Sequence, residues 1–435
     1  MVKYFHQVWQ SKTLRKKILF TLFLLAVFRA AAHITVPGVN VEALSIIFQQ
    51  NDLLGIFSTL TGGSMQHFSI VMMGLSPYIN ASIIVQLMTV VIPKLETLSK
   101  EGMEGRRKLN QYTRLLTIPL AFLQSYGMIL LLNRSGVQGG QALIPNIGDP
   151  TVILPIMLII TAGTCLLMWM GELITQNGIG NGTSLLIFAG IVSGMPTIVG
   201  RMLGIAQGGD TTKLSYFLVF VAVTILMLVF VVLITEGQRN IPITYATRAT
   251  GGKGEKASLP IRVNQAGMIP IIFAISMMTF PSVMAQFFQA SASPILHTIA
   301  DFILKNLNAS NPTYPYMVIY FLLIMAFSYF YVSVTFNPET VAENIQKRGG
   351  FIPGIRPGSQ TAEFLAKVSN RMDLFGGLFL GIVAIIPILF TKYTTLSSSD
   401  LIISGSGLVI VVGVVLEVIR QIDAQLVMHD YDKLY

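Results

Sequence analysis

The sequence predicts an all-α, polytopic membrane protein: ten transmembrane helices in two pseudo-symmetric, inverted halves of five. Three observations lead there. Apolar residues make up 53% of the 435 and charged residues only 11%, against about a quarter charged in soluble domains. Ten apolar stretches approach the roughly 20 residues that one crossing needs. Of the 29 Lys and Arg, 23 fall in segments on one side of those stretches and five (Arg134, Arg201, Lys213, Lys305 and Lys392) on the other, while Arg29 lies within the first stretch. Positive residues stay inside, so both termini are cytosolic.

The spans run in order over 17–36, 68–92, 113–132, 151–170, 183–200, 214–235, 266–288, 316–336, 374–391 and 401–419. In the first, Arg15-Lys16-Lys17 before Ile18–Phe28 and Ala30-Ala31-Ala32 imitates a cleavable signal. Arg29 stands where a cleaved signal would avoid charge, and nine later spans need a first to set their direction. The second holds Ser76, Pro77, Asn80, Ser82 and Gln86, too polar for a lipid-exposed helix. Such a span is tolerated only when buried in protein or lining a wet cavity, which points to a pathway. The third and fourth are apolar and bounded by charge. The fifth is short and Gly-rich, and its Gly190 and Gly194, like Gly377 and Gly381 in the ninth, suit close helix packing. Spans six to ten repeat the count of five after the polar stretch 201–213, so the halves are 1–207 and 208–435, inverted with respect to each other. No residue-level similarity joins them. Between the later spans lie two long inside loops, 236–265 and 337–372, longer than a connection requires and basic enough to dock an acidic or RNA-rich partner or to meet anionic headgroups.

Much chemistry is excluded. One cysteine, Cys165, permits no intrachain disulfide, and His6, His33, His67, His297 and His429 match no metal-ligand spacing. The 251–258 stretch lacks the phosphate-loop pattern and a preceding strand. Glu172 and Glu417 sit at inside ends of spans as interfacial or pairing residues, leaving no buried carboxylates for proton coupling. The sequence therefore predicts no enzyme, no metal and no cofactor, and the energy for any transport comes from elsewhere.

Several stretches carry specific information. Ser69–Gln86 opens the second span, and Trp169–Ser184 joins the fourth and fifth. Glu104-Gly105-Arg106-Arg107-Lys108 and Gln111-Tyr112-Thr113-Arg114 precede the third, and Phe336-Asn337-Pro338-Glu339 leads to Gly354-Ile355-Arg356-Pro357-Gly358. Together, in order from about residue 15 to 428, they resemble the SecY family of central protein-translocation channel subunits. The resemblance implies a passive, protein-conducting channel of the bacterial plasma (inner) membrane. Unfolded polypeptides cross it, and hydrophobic signal or transmembrane segments leave sideways into lipid. The implied partners are SecE as a clamp, SecG as an accessory, the SecA motor ATPase or the ribosome for drive, and the membrane lipids.

The resemblance also implies site residues. The pore ring is Leu75 and Ile79, Thr183 and Ile187, Ile272, and Ile410; the first two pairs are spaced i,i+4, so each can turn one face to a common axis. Aliphatic side chains there would stop ions by dewetting without offering a passing chain a sticky site. Thr183 departs from the aliphatic pattern, so the seal is less uniform there, or Ser184 and Leu185 form that wall. The resemblance also implies a re-entrant plug helix near 56–68 that includes Ile56, Phe57, Thr61, Gly62, Gly63 and Ser64. The lateral gate runs between spans two and three and spans seven and eight, with Gln86, Gln124 and Asn264 as polar residues setting its threshold. Partner docking falls to Arg106, Arg107, Arg248, Lys253, Lys256 and Arg356; Gly252 stands where the family commonly has a basic residue. A secondary transporter of a small solute is the alternative, but it needs a compact polar midplane site that the sequence lacks. A non-conducting scaffold would leave the polar second span unexplained.

Overall fold

The computed structural model describes residues 9–40, 44, 62–138, 143–144, 149–207, 211–245, 255–288, 294–307, 313–393 and 405–432. Its elements are α1 (Lys12–Ala31), α2 (Ser76–Val91), α3 (Pro93–Lys100), α4 (Met103–Gln138), α5 (Pro150–Asn177), α6 (Gly182–Gln207), α7 (Thr211–Glu236), β1 (Gln238–Tyr245), β2 (Glu255–Arg262), α8 (Ile269–Phe288), α9 (Pro294–Asn306), α10 (Tyr314–Thr335), α11 (Pro338–Lys347), β3 (Gly350–Phe351), α12 (Ser359–Tyr393) and α13 (Gly405–Asp432).

Each of the ten apolar stretches holds a helix: α1, α2, α4, α5, α6, α7, α8, α10, α12 and α13. Among the described residues, four helical segments are long and apolar enough to cross a bilayer unaided: Pro150–Asn177, Leu218–Glu236, Tyr314–Lys347 and Ser359–Phe390. The pair α2–α3, bent by 106° where Pro93 follows Ile92, makes a fifth. The others join apolar centres to charged ends (α1, α4, α13) or are short in apolar length (α6, α8). The second span begins later than the hydropathy pattern suggests. Residues 62–75 form a succession of turns, with Phe68 and Gly74 at positive φ, and the helix starts only at Ser76, with Pro77 in its first turn. Proline is favoured there because a first-turn N–H has no helical acceptor anyway.

Helix packing follows a repeated plan. α1 packs on α5 and α6, α2 on α4 and α5, α4 on α5, and α5 on α6. In the same order, α7 packs on α12 and α13, α8 on α10 and α12, α10 on α12, and α12 on α13. The two sets meet along two seams. At the front, α8 lies against α2 and α4; at the back, α6 lies against α7 and α13. Gly377 and Gly381 do face a neighbouring helix, meeting Ser328 and Phe321 of α10, whereas Gly190 meets the loop at Gly62.

The fold is mostly helical rather than all-α. β1 pairs antiparallel with β2, from Gln238 opposite Arg262 to Tyr245 opposite Glu255, and with β3 through Thr244–Phe351 and Tyr245–Gly350. The two long loops are thus one layer. Ile241, Ile243 and Ile261 of the sheet bury against Ala342 and Ile345 of α11 and Leu365 and Val368 of α12. Pro242 and Pro260 hide these strands from a sequence reading, because proline cannot donate to a ladder. β3 covers only Thr244 and Tyr245, so Pro242 sits where β1 is paired on one side. Asn337 caps α11, accepting the N–H groups of Glu339 (3.1 Å) and Thr340 (3.2 Å), with Pro338 following at the first helical position.

Candidate functional site

Where the two sets of helices meet, the interior is aliphatic. Leu75, at the entry to α2, and Ile410 of α13 are buried in one continuous cluster. Ile79 of α2, Ile187 of α6 and Ile272 of α8 pack against the same cluster half-buried. Five of the six ring residues therefore reach one apolar region from four different helices. Thr183 is engaged elsewhere. Its hydroxyl donates to Asn181 Oδ1 (2.7 Å), which also accepts its backbone N–H (3.1 Å), and its methyl group lies against Gly171 of α5. Asn181 is the cap of α6. The asparagine just before a helical run is a readable signal.

On one flank of this cluster the 62–75 turns pack into a second core. Met65, Phe68, Met72 and Met73 bury with Ile129 and Leu132 of α4 and Ile156, Met157 and Ile160 of α5. Gly62 is the fixed point of that loop. Its carbonyl accepts Arg29 Nη1 (2.6 Å) from α1 and Ser193 Oγ (3.4 Å) from α6. Its φ is +69°, and a Cβ there would stand 2.7 Å from Gly190 Cα. Only glycine fits such a backbone pressed against another. Arg29, whose charge looked misplaced in an apolar span, is thereby explained. The signal was the odd charge, but nothing local named its partner. The rings of His33 and His67 lie tilted against each other, their centroids 5.1 Å apart. Burial, then the charges of His33 and Arg29, hold the His67 imidazole below its ordinary pKa. Of the residues expected in a plug, Gly63 is half-buried and Ser64 fully buried; Ile56, Phe57 and Thr61 lie outside the described residues.

The polar residues expected at the lateral gate do not bond to one another. Gln86 Nε2 donates to Ser82 Oγ of its own helix (3.0 Å), and Asn264 Oδ1 is buried with no hydrogen-bond partner. Gln124 is half-buried on α4. The adjoining Gln265 instead reaches α12, its Nε2 donating to Ser369 Oγ (3.1 Å). The back seam is tied differently. Gly180 N–H donates to Gln421 Oε1 (2.6 Å), and Leu14 and Ile179 bury with Val418, Ile422 and Leu426.

Among the basic residues, Arg106 and Arg107 are exposed near the start of α4. Arg356 is exposed in the turn between β3 and α12, where its carbonyl accepts Thr361 Oγ1 (2.9 Å). Lys256 lies in β2 opposite Thr244; Arg248 and Lys253 lie outside the described residues. Glu172 pairs with Arg114, linking α5 to α4. No group of three or more His, Cys, Asp or Glu that could hold a metal occurs among the described residues.

The sequence pattern of the SecY family matches residues 69–419. The chain belongs to the SecY family. A protein translocase subunit SecY of Halalkalibacterium halodurans is 41% identical over 439 residues, covering 99% of each chain. That of Thermus thermophilus is 40% identical over 99% of this chain and 97% of its own. Solved structures share the fold. One described as a protein-conducting channel has a TM-score of 0.63 at 17% identity, covering 95% of this chain and 92% of that one. An idle yeast Ssh1 complex bound to the 80S ribosome has a TM-score of 0.58 at 14% identity, covering 93% and 89%. The match to SecY-family relatives spans nearly every residue, including the loops that form the sheet.

Proposed function

We propose that this multi-pass membrane protein works as the protein-conducting subunit of a Sec translocase through an aliphatic ring at the junction of its two helix sets. The chain is a SecY-type channel subunit and a non-enzymatic pore. The observation that carries the ring is the convergence of Leu75, Ile79, Ile187, Ile272 and Ile410 from four helices on one apolar cluster. A constriction of that kind excludes ions because water leaves a narrow apolar neck, yet it holds no polar group to trap a passing polypeptide. Thr183, bonded to Asn181, belongs to the start of α6 more than to the ring in this reading.

The finer architecture follows from the same reading. All ten helices cross the membrane, five in each of two inverted halves, 1–207 and 208–435. The recurrence of the same helix neighbours in both halves supports this. The membrane is the bacterial plasma membrane and both termini are cytosolic, as the charge asymmetry favours. The segment 56–68 acts as the plug, moored at Gly62. The front seam is the lateral gate, because its two helix groups can part without breaking a Gln86 or Asn264 bond between them. The sheet layer with Arg356, Lys256, Arg248 and Lys253, and the nearby Arg106 and Arg107, forms the docking face for SecA or the ribosome; SecE and SecG complete the complex.

The test is crosslinking from a stalled, partly translocated secretory chain to single cysteines at positions 79, 187, 272 and 410, with Cys165 replaced. Adducts at all four, and none at the outward-facing control position Val219, are expected. A chain that crosses yet touches none of them would overturn the ring.

A further inference from the structure

We infer that α9 is an interfacial helix that lays an apolar stripe into the outer leaflet and so ties the outer end of the seam helix α8 to the bilayer. The helix has three distinct faces. Ala300 is buried and Leu296, Ile303 and Leu304 are half-buried on the side that packs against α8. His297, Thr298, Asp301 and Lys305 form an exposed polar side, with His297 Nδ1 3.0 Å from Asp301 Oδ2. Between these lies a third face, made of Ile295, Ile299 and Phe302, which are 72%, 47% and 67% exposed. Their i, i+4, i+7 spacing makes a single stripe. A surface with one protein-packed face and one polar face has no need of three large apolar side chains in water.

The occupant of that stripe follows from its height. Thr313 Oγ1 donates to Lys305 O (3.1 Å), fixing the end of α9 beside the start of α10. The next residue, Tyr314, has its hydroxyl 2.9 Å from that of Tyr393, and Lys392 Nζ stands 3.3 Å from the Tyr314 ring centroid. Tyrosines with apolar bodies and wet hydroxyls, joined by a lysine, mark the level where headgroups meet hydrocarbon. Below them on α10, Val318 and Leu322 are 57% and 58% exposed, an apolar surface facing lipid. The stripe thus lies at the rim of a lipid-facing wall, where an amphipathic helix buries its apolar side about 5–10 Å deep. A lipid surface fits it, and the polar side, with both signs of charge, stays in water.

The inference rests on the ten-span reading, and the test separates the two. Nitroxide labels are placed singly by Ile295→Cys, Ile299→Cys and Phe302→Cys, by Thr298→Cys, Asp301→Cys and Lys305→Cys, and by Leu226→Cys on α7 as a lipid-facing reference. Each is made in the full chain with Cys165 replaced, reconstituted with its partner subunits in phospholipid bilayers. Collision rates with oxygen, which concentrates in lipid, and with a water-soluble nickel chelate are compared. The oxygen-to-nickel ratio is expected to be several-fold higher at 295, 299 and 302 than at 298, 301 and 305, and to approach the value at 226. A stripe open to nickel while 226 reports lipid overturns the interfacial helix alone. A stripe shielded from both reagents means that a protein covers it, and also overturns the inference. Nickel access at 226 as well overturns the spanning reading and the inference with it.

Discussion

The front and back seams join the same two groups of helices by different means. At the back, a 2.6 Å hydrogen bond from Gly180 to Gln421 and an apolar cluster around Ile179 hold α13 against the N-terminal helices, and only three residues separate α6 from α7. At the front, α8 touches α2 and α4, but Gln86 turns to its own helix and Asn264 Oδ1 is buried unpaired. Parting the back would strand a buried N–H and its acceptor. Parting the front would break no hydrogen bond made by Gln86 or Asn264 across it. The two seams therefore differ in the hydrogen bonds that cross them.

The largest expected effect tests the back seam. Gln421→Leu leaves the Gly180 N–H without its acceptor and should destabilise the protein by about 1–3 kcal/mol. A lowered melting temperature of the purified complex would register it, whereas an unchanged one would remove the distinction between the seams. Asn264→Leu should act in the opposite sense at the front. Replacing a buried, unpaired acceptor with an apolar group of similar size should favour the closed seam by about 1 kcal/mol. Signal sequences would then need greater hydrophobicity to be accepted, measured with a graded series of signals. Unchanged or relaxed stringency would count against the gate.

A smaller effect separates the seams from the plug mooring. His67 has its pKa below the ordinary 6.5, chiefly through burial, with His33 and Arg29 adding to it. The folded state therefore binds its proton less readily than the unfolded chain. The mooring keeps its full strength above pH 6.5 and weakens as the pH falls below that value, levelling off once the folded His67 is itself protonated. Labelling of a cysteine introduced by Met65→Cys, taken relative to an exposed reference cysteine at the same pH to cancel the falling thiolate fraction, should quicken between about pH 7.5 and about pH 5.5. The same series in a His67→Gln background should be flat; a pH response that survives there assigns the effect elsewhere. The smallest effect is expected at the exposed Arg420–Glu236 pair (2.6 Å), which ties α13 to α7 within one helix set. Arg420→Met should cost at most about 1 kcal/mol and leave signal stringency unchanged.

Local pattern carried a large part of the fold. Runs of apolar residues located every long helix, and the Asn337-Pro338-Glu339 segment carried its own cap. Helix starts were less legible: apolar residues 68–75 read as span but fold as turns, because hydropathy reports burial rather than backbone conformation. The five aliphatic positions proposed for the ring came from resemblance alone, since an aliphatic side chain at a junction looks like any packed one. Thr183, which already departed from the aliphatic pattern, gives its hydroxyl to the cap residue Asn181.

The sequence by itself determined which segments leave water, which ends collect positive charge and which family the motifs resemble. These are local or additive properties, since burial of an apolar run and the cost of moving a charge across lipid depend little on distant partners. Only the tertiary structure decided that Arg29 grips the carbonyl of Gly62, that the two long loops close into one sheet through Thr244 and Phe351, and that both helix sets adopt the same neighbour pattern. Each of those joins residues far apart in the chain. The pairing energy depends on a geometry that exists only once the helices have packed, so no periodicity along the sequence records it.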